Sequence, residues 1–423
     1  MLSEVAMNSS ECSDMAEGLC RMGCAIINSG GEIYRAEDTM KRIAAAYNVS
    51  AEVFVVPNCV IVKIKDDEGR PITSVQRSKM DKVNITYLEN LNNLSRRICA
   101  DPSSVKPEQL IKEIKKTLSD SPSYSLILIL LGYGLGAFCY CIYCSGGVLD
   151  SVFAAIAAAA CGITNIAMSR LKMNFFVNLI VSSCVLGLVV YGLHMLGLPL
   201  YIRAIMSGSI MILVPGLAFT SFMTSMLSDD ISSGLAIFAK TILTAVGLAI
   251  GSGAAYSFLS NFSFNPSPYG QPVHYHVIVL FIVTFLSCLG FIPTFNVRGR
   301  AGILLSCLGG TLAYAVFLGV RTMGCGEYFS YFIASIAVSF YSQICARTRH
   351  FPVTSYLVIS YLPLVPGLRI YEAMSYYINN DIPAMAYAVF ETIAISSCIA
   401  IGTLLVSTFF KIITDIKTGK ITR

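Results

Sequence analysis

Leu213-Val214-Pro215-Gly216-Leu217 recurs 151 residues later as Leu364-Val365-Pro366-Gly367-Leu368. Each copy interrupts a long apolar run. Proline lacks the N–H that a helix interior needs, and glycine gives up too much backbone freedom to sit there cheaply. Two apolar segments broken in the same way, one in each half of the chain, point to a repeat. An offset of 151 lays 213–251 onto 364–402. Met223 then meets Met374, Asp230 meets Asp381, Thr241-Ile242 meets Thr392-Ile393, and Ala249-Ile250-Gly251 meets Ala400-Ile401-Gly402. About a third of the aligned positions are identical.

The rest of the composition places these segments. The chain has 423 residues, 55% of them hydrophobic, and a net charge of +5. Its mean hydropathy is +0.67. Charged residues make up 13% of the chain, about half the usual share of roughly 25%. Such a chain is a membrane protein by composition. Residues 1–120 hold most of the acids and bases, and 124–411 are nearly continuous apolar segments. No signal peptide is read in the first 25 residues.

A crossing helix needs about 20 apolar residues. Ten candidates are expected near 124–144, 147–168, 174–197, 202–223, 231–259, 274–296, 301–320, 327–346, 353–371 and 383–410. Five spans per half would reverse the second half, giving two inverted five-helix repeats, as in many secondary transporters. The expected division is a domain at 1–120, a first repeat at 121–261, an extracytoplasmic loop at 262–273, and a second repeat with a short tail at 274–423. Arg170, Lys172, Arg298, Arg300, Arg347, Arg349 and the tail lysines would lie on the cytoplasmic side with both termini. Arg203, Arg321 and Arg369 read as residues at outer helix edges.

In inverted repeats, interrupted helices meet at the solute site. Pro215, Gly216, Pro366 and Gly367 are therefore the candidate substrate pathway; the plainer reading is a pair of kinks that let helices pack. Lys240 and Glu391 fall at equivalent positions inside spans five and ten. A charge in the bilayer centre needs a partner, so the two are expected either to pair or to couple protonation to transport. Asp229, Asp230 and Asp381 follow the broken helices and suit helix caps or gate residues. Gly132/Gly136 and Gly247/Gly251 have the spacing of close helix crossings.

The N-terminal 120 residues read as α+β. Helical spacing at 14–28 and 35–47 flanks the turn Gly30-Gly31. An alternating β-branched stretch over 51–64 predicts a hairpin, and a third strand is expected near 71–76. Helices near 84–99 and 107–118 lead into the apolar region. Glu32, Tyr34, Arg35 and Glu37, with Asp38, form a polar cluster at the start of the second helix. They are either a site or a solvated helix start. No phosphate-binding loop, zinc-protease helix or serine-nucleophile elbow occurs. Cys141 and Cys144 form a CxxC inside an apolar run, where packing explains them better than zinc. No metal, cofactor or nucleic-acid partner is expected.

The stretch "GGEIYRAEDTMKRIAAAYNV" (30–49) with the following "VFVVPNCVIVKI" (53–64) resembles the N-terminal signature of the threonine/serine exporter family. "LVPGLAFTSFMTSMLSDDISSGLAIFAKTIL" (213–243) and "SYLPLVPGLRIYEAM" (360–374) resemble its two broken-helix regions. The resemblance covers nearly the whole chain. It implies ten spans in the cell membrane, a cytoplasmic N-terminal domain, and export of small hydroxy amino acids driven by an ion gradient. The lack of an ATP-site motif argues for gradient drive with a proton as coupling ion, and no enzyme activity is expected. In some relatives the two halves are separate chains, and a pair of that kind is implicated in dicarboxylate export, so a succinate-like solute is the alternative. A membrane-anchored enzyme working through the Glu32–Asp38 cluster is the alternative from another class. Oligomeric state is left open.

Overall fold

A computed structural model describes residues 9–79, 83–195, 197–211, 213, 216–227, 230–260, 270–378 and 380–417. Pro215, Asp229 and most of the expected 262–273 loop lie outside the described residues. The chain divides into two compact units. One comprises 1–124 together with 295–299 and 346–355; the other comprises 125–294, 300–345 and 356–423.

The first unit is α+β. Helix α1 (Ser9–Asn28) turns through Gly30 into α2 (Ile33–Ala46). Gly30 has φ +82°, a left-handed conformation that glycine adopts without strain. Strands β1 (Ala51–Val56), β2 (Cys59–Lys65) and β3 (Pro71–Arg77) form an antiparallel sheet in that order. Val56 pairs with Cys59, so β1 and β2 are joined by the two-residue turn Pro57-Asn58. Burial alternates along β2, with Val60, Val62 and Ile64 inward, as a sheet covered on one face requires. Helix α1 covers it: Met15, Leu19 and Met22 are fully buried, and the Cys20 thiol donates to the Ser74 carbonyl at 3.1 Å. Helices α3 (Ile85–Ala100) and α4 (Leu110–Ser119) complete the core through Leu91, Ile98 and Leu110.

Two distant segments are part of this unit. Asn296, with φ 49°, donates through Nδ2 to Asn84 Oδ1 at 3.0 Å and to the Pro122 carbonyl at 3.1 Å. Its own carbonyl accepts from the Thr86 amide at 3.2 Å and from the Thr86 hydroxyl. Tyr124 donates to the Val297 carbonyl at 3.0 Å while its ring lies under the Arg298 guanidinium. Asn92 Nδ2 donates to the His350 carbonyl at 3.3 Å.

The second unit is helical. Its first half holds α5 (Leu126–Tyr143), α6 (Val148–Arg170), α7 (Phe175–Met195), α8 (Ile202–Ile210), α9 (Gly216–Leu227) and α10 (Ile231–Ser260). Its second half holds α11 (Val277–Phe291), α12 (Arg300–Thr322), α13 (Glu327–Arg349), α14 (Thr354–Ser360), α15 (Gly367–Ile378) and α16 (Ile382–Lys417). Among the described residues, seven helices are long and apolar enough to cross a bilayer: α5, α6, α7, α10, α12, α13 and α16. The other three expected spans take different forms. Helix α11 has only 15 residues, and the fourth and ninth spans are each two short helices. In the ninth, Pro363 and Pro366 both fall between α14 and α15. Each removes a donor and would clash with the carbonyl four residues back, so the helix stops and restarts.

Hydrogen bonds recur at the 151-residue offset. The Leu213 amide donates to the Ile210 carbonyl at 2.8 Å, and Leu364 to Tyr361 at 2.9 Å. Thr241 donates to the Ile237 carbonyl at 2.8 Å, and Thr392 to that of Ala388 at 2.8 Å. Ser252 donates to the Leu248 carbonyl at 2.8 Å, and Thr403 to that of Ile399 at 2.7 Å. Across helices, Ser183 of α7 donates to the Gly247 carbonyl at 3.4 Å; Cys398, equivalent to Gly247, accepts at 3.4 Å from Ser335 of α13, one residue beyond the position equivalent to Ser183. Gly251 and Gly402, also equivalent, lie at these two crossings. A methyl group added to Gly251 would strike Ser183 Oγ and the Ile180 carbonyl; one added to Gly402 would strike Ser335 Oγ. Gly132 and Gly136 serve the same purpose where α5 crosses α11 at Gly290.

Candidate functional site

The two breaks line one cleft. Met211 comes from the first and Leu362 and Pro363 from the second. Tyr140 and Tyr143 of α5 and Thr284 and Ser287 of α11 form much of the remaining wall. The tyrosine rings stack at 5.4 Å, and Tyr143 meets Tyr314 of α12 edge-on at 5.4 Å. The cleft has room for about one water molecule as it stands. A solute the size of an amino acid needs the breaks to move apart.

Helix packing brings the breaks together. Helix α9 packs on α10 and on α16, while α15 packs on α16, on α10 and on α8. Behind the second break, the buried Tyr361 hydroxyl bonds to Ser339 of α13 and to Thr403 of α16, both at 2.6 Å. This hydroxyl chain satisfies polar groups in an apolar interior, where an unmet one costs about 1–3 kcal/mol.

Next to the cleft is a four-residue ion network. Arg203 is the second residue of α8, Arg369 and Glu372 lie in the first two turns of α15, and Glu391 lies on α16. Glu372 accepts from the Arg203 guanidinium through one oxygen and from Arg369 Nη1 at 2.9 Å through the other. Arg369 Nε lies 3.2 Å from Glu391 Oε2. The carboxylates are buried, with 5% and 8% of their side chains exposed, while the Arg203 side chain is 56% exposed. Helix α8, which carries Arg203, packs on α5, which carries the cleft tyrosines Tyr140 and Tyr143.

Each charge of the expected pair has a described neighbour of its own. Lys240 and Glu391 occupy equivalent helices, but Glu391 finds Arg369, which enters on the adjacent α15. The Lys240 ammonium lies 5.2 Å from the centre of the Phe175 ring on α7, a cation–π contact. Arg203 and Arg369, expected at helix edges, lie in the first turns of α8 and α15 and belong to the network. Glu372 was passed over. The signal was present: Arg369 and Glu372 follow the Pro366-Gly367 break by only two and five residues, inside an apolar stretch.

The other expected residues fall as follows. Gly216 and Gly367 begin α9 and α15. Pro366 supplies the carbonyl that accepts from Ile370 N at 3.2 Å, the first helical bond of α15. Asp230 Oδ1 accepts from Ser233 N at 3.2 Å and Asp381 Oδ1 from Ala384 N at 3.1 Å, both N-caps of the following helices. On α2, Glu37 pairs with Lys41 at 3.6 Å and Asp38 with Arg42 at 2.7 Å, one helical turn apart on the surface. Tyr34 is 68% exposed, and Glu32 sits at the N-cap position without a side-chain cap bond. Among the described residues no group of three or more His, Cys, Asp or Glu is placed to hold a metal, and Cys141 is buried in helix packing.

Long apolar helices, two of the spans broken and facing one cleft beside buried ionised groups, define a polytopic membrane transport protein. The family profile "Putative threonine/serine exporter" matches residues 17–259, and "Threonine/Serine exporter, ThrE" matches 280–409. The chain belongs to the threonine/serine exporter family. It is 19% identical over 405 residues to the "Probable threonine/serine exporter" of Mycobacterium tuberculosis (strain ATCC 25618 / H37Rv), covering 92% of this chain and 75% of that one. It is 22% identical over 401 residues to the "Threonine/serine exporter" of Corynebacterium glutamicum, covering 91% and 80%. No solved structure matches the chain.

Proposed function

We propose that this protein is a secondary active exporter of threonine and serine in the cell membrane. Two five-span halves, inverted relative to each other, rock about the breaks at 211–215 and 361–366. The observation that carries this reading is the meeting of Met211 with Leu362 and Pro363 in one cleft. The hydrogen bonds that recur at the 151-residue offset support two equivalent halves. A five-span half places them in opposite senses across the bilayer. Both termini and the N-terminal α+β unit lie in the cytoplasm, as the Lys and Arg of the short loops favour. The coupling ion is a proton, and Glu372 and Glu391 are buried carboxylates close to the second break. The ion pairs on α2 leave the Glu32–Asp38 segment with the character of a solvated surface, which favours transport over an enzyme reading.

Counterflow in proteoliposomes tests this. Vesicles loaded with unlabelled threonine should accumulate labelled threonine or serine. Pro215→Ala/Pro366→Ala should slow the exchange by about 10-fold or more, as expected where the mechanism uses helix discontinuity. A wild type that exchanges neither solute sinks the proposal. A double variant with undiminished exchange removes the breaks from the mechanism.

A further inference from the structure

The ion network has a composition that matters for ligand choice. Arg203 and Arg369 contribute two positive charges, Glu372 and Glu391 two negative ones. The next charged side chains, Glu327 on α13 and Arg321 on α12, add one of each sign. Among the described residues the site is balanced in formal charge. One cation, Arg203, is more than half exposed. One acceptor is incompletely satisfied: the Tyr387 hydroxyl faces Glu391, and buried Oε2 has the Arg369 guanidinium at 3.2 Å without a well-aligned hydrogen bond. A buried carboxylate oxygen gains from further donors, and an ammonium group would supply three.

Building on the exporter reading, we propose that this network is the recognition site for the α-carboxylate and α-ammonium of a zwitterionic amino acid. The carboxylate takes the place of Glu372 on Arg203 and Arg369, whose planar guanidinium groups match it in a bidentate fashion. The ammonium binds Glu391 Oε2 and the Glu372 oxygen released by that exchange. One charge of each sign enters, so the site stays balanced. A dicarboxylate would bring two negative charges into a site that already holds its full share, and a cation lacking the carboxylate would leave the arginines with nothing gained. The network therefore selects the amino-acid headgroup, and the tyrosine-walled cleft beside it is left to select the side chain.

The test uses the purified full-length protein and four probes: threonine, threoninamide (no carboxylate), N-acetylthreonine (no ammonium) and succinate. Threonine should raise the melting temperature of the wild type in detergent, and each of the other three should bind at least ~10-fold more weakly. Glu391→Gln should weaken threonine by ~10-fold or more and leave N-acetylthreonine unchanged; Arg369→Gln should weaken threonine similarly and leave threoninamide unchanged. N-acetylthreonine or succinate binding the wild type as tightly as threonine would overturn the proposal without needing any variant to fold. So would variants that weaken threonine and its analogues by one common factor, the behaviour of a merely structural ion network. Threonine exchange by wild-type vesicles combined with either of those results removes this proposal and leaves the exporter reading standing. Absence of threonine and serine exchange removes both.

Discussion

Glu372 joins the two halves of the helical unit through a single carboxylate, with Arg203 from one side and Arg369 from its own helix. Removing its charge takes the anion from Arg203 and leaves the half-buried Arg369 with Glu391 alone. Glu372→Gln is expected to cost about 1–3 kcal/mol, read as a lower melting temperature in detergent. Arg203→Ala should cost less, about 1 kcal/mol or below, because that side chain is largely solvated. A second residue-scale effect lies in the α+β unit. Asp66 Oδ1 accepts from Arg70 N at 2.8 Å and from Glu68 N at 3.1 Å, and Oδ2 accepts from Arg70 Nε at 2.9 Å. Burial alone would raise the pKa of this carboxyl, but the bonds from Arg70 outweigh it and hold it below the ordinary 3.8. A depressed folded pKa adds stability that is present above the unfolded value and lost as pH falls through the folded one. Hydrogen-exchange protection of β2 and β3, corrected for intrinsic rates, should therefore drop below about pH 3.8, and Asp66→Asn should remove that acid-dependent step.

At the scale of elements, the close helix crossings are the most exacting feature. Gly251→Ala drives a methyl group into the backbone carbonyl of Ile180, which cannot turn away. Gly402→Ala meets chiefly Ser335 Oγ, which can rotate at the loss of its hydrogen bond. Overpacking of this kind costs about 1–3 kcal/mol, so thermal unfolding should place Gly251→Ala below Gly402→Ala. Gly192→Ala and Gly319→Ala, with open space around them, should match the wild type. These elements also show what a sequence can reveal. The strands, the turn at Gly30 and the two breaks follow from local chemistry: alternation along 51–64, a glycine pair, and prolines in apolar runs. The Gly247/Gly251 spacing announces a crossing because small residues are what close approach requires. The ion network was not legible in the same way. Lys240 and Glu391 share a position in the repeat, and symmetry made them look like partners. Which helix inserts α15 against α16, and so brings Arg369 to Glu391, depends on three-dimensional packing that no periodicity records. Helix α15 also extends to Ile378, beyond the expected end at 371, so Glu372 falls outside the span expected from hydropathy.

At the scale of the whole molecule, the α+β unit is assembled from three stretches of chain, and the last two come from the second half. Asn296 binds Asn84 and Pro122, and His350 receives Asn92, so the unit formed by residues 1–124 is completed by 295–299 and 346–355. Asn296→Ala should loosen this completion, and limited proteolysis should then cut near Pro122 faster than in the wild type. The first unit therefore draws on chain from both sides of the 262–273 segment. A chain severed in the 262–273 loop would still possess a docking module at its start and the two short segments that complete it on the other fragment. Co-expressed fragments should therefore find one another, and the pulldown of the second by the first should fail with Asn296→Ala. The N-terminal unit would then be the fastener by which a gene encoding two halves could split, or two genes could fuse, without losing the pairing of their products.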